Sequence, residues 1–141
     1  MTVLIDTGPL YAFFDKNDQW HEWSLRQLSQ LKPPFITCEA VITETLFLLN
    51  RSGIETTPLF KLFNRNLLNI HPVIHNQAGQ KQIRIFMENY KNLPASFADS
   101  CLMYLSEITS DSRTFTLDTD FTIYRNKKGR PVKLIIPDIK S

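Results

Sequence analysis

Apolar positions in this chain fall into two alternating rhythms. Short apolar runs are separated by longer stretches with helical spacing, the mark of an α/β domain built on a mainly parallel sheet. The first run, Val3-Leu4-Ile5, predicts a short buried strand. Thr7-Gly8-Pro9 predicts a turn, after which residues 10–14 begin a helix. Trp20, Trp23, Leu28 and Leu31 recur at helical spacing and predict a second helix, stopped by Pro33-Pro34. Phe35-Ile36-Thr37 is a candidate second strand. Residues 39–50 predict a helix that is apolar on most faces and therefore largely buried, with Gly53 after it as the C-cap.

Thr57 and Pro58 predict the N-cap and first residue of the next helix, with Leu59, Leu62, Phe63 and Leu67 on its face. Residues 70–74 predict a third strand, and Pro72 within it places that strand at a sheet edge. Asn76 caps a helix carrying Ile83, Phe86, Met87 and Tyr90. Leu93-Pro94 breaks the chain, and Ser96 caps a helix that runs through Glu107 with Cys101, Leu102 and Leu105 inward. Phe115 and Leu117 belong to a fourth strand and residues 132–136 to a fifth, with a polar, basic loop at 126–130 between them. No repeat or linker interrupts this order, so a single domain over residues 1–141 is expected.

Composition narrows the picture. A chain of 141 residues with 43% hydrophobic content can bury a core without staples. The net charge of +2 is too small for a global field, so a nucleic-acid partner has to be held by local patches. Cys38 and Cys101 lack metal-ligand spacing and, as one isolated pair, do not argue for a disulfide. The N-terminus lacks a basic signal-peptide region, and no apolar run is long enough to span a membrane, so a cytoplasmic location is expected.

The chemistry lies in the acids. Asp6 ends the first apolar run and Asp118 ends the fourth, in the stretch TLDTDF. In open parallel sheets ligands bind outside the carboxyl ends of the strands, and both acids are expected on that rim. Asp120 follows two residues later. Glu44 stands inside an otherwise apolar helix, where an ionised group is costly unless it is paired or bound to metal. Asp99 lies in the first turn of its helix. Converging carboxylates repel one another, and a divalent ion removes that conflict. An all-oxygen site suits magnesium or manganese and points to phosphoryl chemistry. Each acid also has a plainer reading. Asp6 serves as a turn residue, Asp118 or Asp120 as a cap, and Asp99 as the fourth residue of an S-x-x-D frame close to a capping box.

These residues resemble the PIN-domain nucleases, and within them the VapC-type toxin ribonucleases of bacteria. The matching pieces are VLIDTGPLYAFFDKNDQWHEW, VITETLFLLNR, LPASFADSCLMYLSE and TLDTDFTIYR, in that order from end to end. The resemblance implies a PIN-like three-layer sandwich, with a five-stranded sheet of order 3-2-1-4-5 flanked by helices. It implies an endoribonuclease that uses one or two magnesium or manganese ions. Carried across by motif, the core acids fall on Asp6, Glu44, Asp99 and Asp118, with Asp120 auxiliary and Thr7 and Thr116 supporting. Asp6 and Asp99 are then the first choices as direct ligands. Glu44 and Asp118 hold a second ion or orient the attacking water. The resemblance also suggests a homodimer and a small antitoxin partner.

Other readings stand beside it. Arg125, Lys127, Lys128 and Arg130 follow Asp118 and are candidates to hold RNA phosphates beside the site, or they form a solvated loop. Trp20 and Trp23 are stacking candidates or packing residues, and His21, His71 and His75 are surface or packing residues. A phosphatase using the Asp118-Thr119-Asp120 pair is disfavoured, because its nucleophile would normally stand near the N-terminus. The main alternative to the nuclease is a non-catalytic PIN-like module that binds RNA or a partner.

Overall fold

The computed structural model describes residues 1–138, so the last three positions of the expected domain lie outside the described residues. Five strands form one sheet: β1 (Thr2–Ile5), β2 (Phe35–Thr37), β3 (Leu68–Ile70), β4 (Ser112–Phe115) and β5 (Leu134–Ile135). Their order is β3-β2-β1-β4-β5 and every pairing is parallel. Six helices connect them: α1 (Thr7–Phe14), α2 (His21–Gln30), α3 (Glu39–Arg51), α4 (Thr57–Asn64), α5 (Gln77–Asn89) and α6 (Phe97–Ile108). A 3-10 turn, Thr119–Thr122, follows β4.

The connections between β1 and β4 carry helices that cover the sheet faces, and a 3-10 turn and loop return the chain from β4 to the parallel β5. The central strand shows the result. Val3, Leu4 and Ile5 are all buried, whichever face they point to. Leu4 pairs with Ile36 on one side and Thr114 on the other. Leu49, Leu102, Leu105 and Phe115 complete the core. Each such side chain contributes about 1.5–3 kcal/mol relative to exposure. Cys38 and Cys101 are free and buried within it.

Several boundaries differ from expectation. Thr7-Gly8-Pro9 is the first turn of α1, where a proline needs no N–H partner. The N-cap of α4 is Thr56, one residue before Thr57. The third strand is Leu68–Ile70, because Asn66 takes a left-handed φ of 55° and ends the α4 turn at once. Pro72 therefore lies beyond the strand, although β3 is an edge strand as expected. Leu117 lies past the end of β4, and β5 is shorter than 132–136. Asn76 and Ser96 cap α5 and α6 through bonds from the Gly79 and Asp99 N–H groups. Trp23 packs edge-on against Phe115 with ring centroids 5.5 Å apart, which makes it a packing residue. No helix among the described residues is long and apolar enough to cross a membrane.

Candidate metal centre at the carboxyl rim

The chain leaves β1 toward β2 on one side and later returns to place β4 on the other. The crevice of an open α/β sheet forms at such a reversal, outside the carboxyl ends of the strands. Two helices that begin there bring an acid in their first turn or at their cap. Asp6 is the N-cap of α1, and its Oδ1 accepts from the Thr7 N–H at 2.7 Å. The positive end of the helix dipole favours an anion at that position. Its Oδ2 accepts from the Thr116 hydroxyl at 2.7 Å. Thr116 Oγ1 also accepts from the Asp118 N–H at 3.0 Å, so this threonine ties the end of β1 to the segment after β4.

Asp99 lies in the first turn of α6 and is buried. Its Oδ2 accepts from the Tyr124 phenol at 2.7 Å. Asp118 Oδ1 accepts from the Asp120 N–H at 2.9 Å and caps the 3-10 turn. Asp118 is thus a cap and a cleft residue at once. Carboxylate oxygens of Asp99, Asp118 and Asp120 all lie within 4.8 Å of one another. Asp6, Thr7, Glu44, Asp99, Asp118 and Asp120 line one cleft of about 430 Å³, beside Gly8 and Ser96. Gly8 permits the close approach of Leu117, whose side chain lies 3.1 Å from where a Cβ would stand.

Glu44 departs from expectation. It is exposed, because α3 buries a single stripe of Val41, Ile42, Thr45 and Leu49 and Glu44 lies off it. It reaches the cleft through its edge, where its Oε2 accepts from the Thr7 hydroxyl at 2.9 Å. The apolar look of 39–50 overstated its burial, since Phe47 is exposed as well.

The basic residues line none of the acidic cleft. The Arg125 guanidinium donates to the carbonyls of Thr122, Ile123 and Tyr124 at 2.8, 3.0 and 2.9 Å, so it secures the turn behind the acids. Lys127, Lys128 and Arg130 line a different hollow with Thr109, Asp111 and Ser112, at the amino end of β4. The Lys127 N–H donates to Glu107 in the last turns of α6. Glu107 is eight residues from Asp99, about 12 Å along the helix. Because β5 is parallel to β4, the chain must return to the amino ends before β5 begins. The basic loop therefore sits at the opposite rim and not beside the acids.

Burial sets the electrostatics of the cleft. It pushes Asp6 up to about 7, against the pull of the Thr116 and Thr7 bonds, and the Asp99 and Asp118 charges add to the rise. Burial also raises Asp99, with Asp118 and Asp120 adding and the Tyr124 bond opposing. Asp120 is raised by burial and by Asp118. These acids are close enough to resist joint ionisation, which a cation would relieve. The donor set fits one: three carboxylate oxygens within 4.8 Å of one another offer a hard divalent ion the oxygen ligands it prefers. No histidine or cysteine lines the cleft, which suits a hard ion.

Sequence reasoning missed Tyr124. The available signal was its three-residue spacing from Phe121, which turns both rings inward, together with the rule that a buried phenol needs a partner.

A parallel α/β fold with an acidic, cation-ready cleft at the strand reversal defines the class of protein. The chain belongs to the PIN domain family, whose model matches residues 3–127. Among solved structures it is similar to Mycobacterium tuberculosis VapC20, described as a Sarcin-Ricin loop cleaving toxin. The two share 18% identity with a TM-score of 0.75, over 86% of this chain and 94% of that one. No curated protein sequence matches the chain.

Proposed function

We propose that the chain is a magnesium- or manganese-dependent endoribonuclease, acting as one domain and serving as the toxin of a VapC-type toxin–antitoxin pair. The observation that carries this reading is the convergence of Asp6, Glu44, Asp99, Asp118 and Asp120 on one cleft at the strand reversal. Asp99, Asp118 and Asp120, whose oxygens cluster, would hold the cation, while Asp6, expected beside Asp99 as a first ligand, has both oxygens bonded by the Thr7 N–H and the Thr116 hydroxyl and completes the negative wall. When bound, the ion supplies Lewis-acid activation of the phosphodiester and of the attacking water.

The chain's own residues do the rest. Thr116 and the Thr7 N–H fix both oxygens of Asp6. Thr7 holds Glu44 at the cleft edge, where it orients the attacking water and takes its proton. The cleft is open and lined by acids, so substrate phosphates enter only with cationic shielding. Similarity to a toxin that cleaves the Sarcin-Ricin loop supports an RNA substrate and an antitoxin partner for this chain. A homodimer and a cytoplasmic location belong to the same reading.

The test is cleavage of labelled RNA with and without manganese, beside Asp6→Asn and Asp99→Asn. Metal-dependent cleavage absent from both variants supports the enzyme. Manganese binding by calorimetry without cleavage of any RNA would instead favour a binding module that keeps its carboxylates.

A further inference from the structure

Tyr124 is fully buried, yet its hydroxyl reaches one of the cleft acids, Asp99. Its ring is walled by Phe86, Tyr90 and Phe121, with centroids 5.0, 5.0 and 5.2 Å away and all met edge-on. Its backbone is held as firmly. The Tyr124 N–H donates to the Asp120 carbonyl at 3.2 Å, and the Arg125 guanidinium donates to the Tyr124 carbonyl at 2.9 Å. The Arg125 N–H donates to the Tyr90 hydroxyl at 2.8 Å, which closes the arrangement. The phenol therefore has little freedom. The Asp99 side chain, by contrast, has two rotatable bonds, and its Oδ2 meets the Tyr124 hydroxyl at 2.7 Å.

We propose that Tyr124 is a positioning residue, whose phenol fixes the Asp99 carboxylate through Oδ2 and leaves Oδ1 for the divalent cation. The segment after β4 then serves the cleft twice. It supplies Asp118 and Asp120 directly, and through Tyr124 it sets the one ligand of the cluster that comes from α6. Outer partners of this kind orient ligands and tune affinity without touching the ion. The inference rests on the cation-binding reading of the cleft.

The experiment is titration of the purified chain with Mn²⁺ by calorimetry, comparing the native protein, Tyr124→Phe and Tyr11→Phe. Phenylalanine keeps the ring packing and removes one hydroxyl. Tyr124→Phe should weaken Mn²⁺ binding by about 10- to 100-fold, the usual effect of losing an outer-shell partner. Tyr11→Phe removes a phenol whose bonds go to Asp15 and Ser52 and not to a cleft residue, and should leave affinity within about twofold, below the outer-shell range. An unchanged affinity in Tyr124→Phe would overturn the positioning role while leaving the metal site intact. Equal losses in both variants would overturn it too, since general loosening would then be the cause. So would loss of the helical circular dichroism in Tyr124→Phe, because the phenol would be holding the fold. No Mn²⁺ binding by the native protein would overturn the cation reading itself.

Discussion

Two charged clusters follow β4, close together in the chain and at opposite rims of the sheet. Asp118 and Asp120 enter the carboxyl-rim cleft, where burial and mutual repulsion raise Asp6, Asp99 and Asp120. Lys127, Lys128 and Arg130 are exposed at the amino rim, beside Asp111 and Glu107. The acids are constrained by named partners: Thr116, Tyr124 and the Asp120 N–H. The lysine and arginine side chains of the second cluster are placed by the return of the chain to β5. Charge density in sequence thus says little about a site. Confinement by partners at a strand reversal says much more.

The largest expected effect lies at the acidic rim. Asp6→Asn and Asp99→Asn should each lower metal-dependent RNA cleavage by about 10³-fold, several kcal/mol of transition-state stabilisation. Native-like cleavage by either variant would break the contrast between the two rims.

The acidic rim should also reveal itself through pH in the metal-free protein. Asp6 is raised from 3.8 to about 7, so the folded state holds its proton more tightly than the unfolded chain. Stability from this group is full below about pH 4 and declines as pH rises to 7, by on the order of 4 kcal/mol. Urea unfolding in a chelator at pH 4 and pH 8 measures most of it. Asp6→Asn should flatten the dependence, and saturating Mn²⁺ at pH 8 should restore stability to the native chain. A slope of opposite sign would show that the cleft is not short of a cation.

Smaller effects sharpen the comparison. Glu44 is exposed and holds one bond, to Thr7, so Glu44→Gln should slow cleavage by about 100-fold, less than the buried acids, as for a general-base contribution at the low end. Replacing Lys127, Lys128 and Arg130 together by alanine should change the cleavage rate of a short RNA by no more than about threefold at moderate salt, where charges beyond about 10 Å are screened. A tenfold loss would mean that the substrate reaches across the sheet to the amino rim.

Much of this arrangement was legible in the sequence. The alternation of apolar runs with helical stretches gave the α/β class, and Asn76 and Ser96 announced their helices as caps. Asp6 and Asp118 could be placed on the rim because each ends an apolar run, and a parallel sheet sends all such ends the same way. Burial of Glu44 was not legible, because a helix with apolar residues on several faces does not state which stripe meets the sheet. Tertiary packing chose Val41, Ile42, Thr45 and Leu49 and left Phe47 and Glu44 outside.

The sequence by itself determined which residues can carry charge at the carboxyl ends of strands, since strand ends and caps are local properties of a few consecutive residues. Only the tertiary structure decided which charges meet. The bond from Thr116 to Asp6 spans 110 positions and that from Tyr124 to Asp99 spans 25. The placement of the basic loop at the far rim follows from the parallel pairing of β4 with β5. Contacts of that range depend on strand order, which no local pattern encodes.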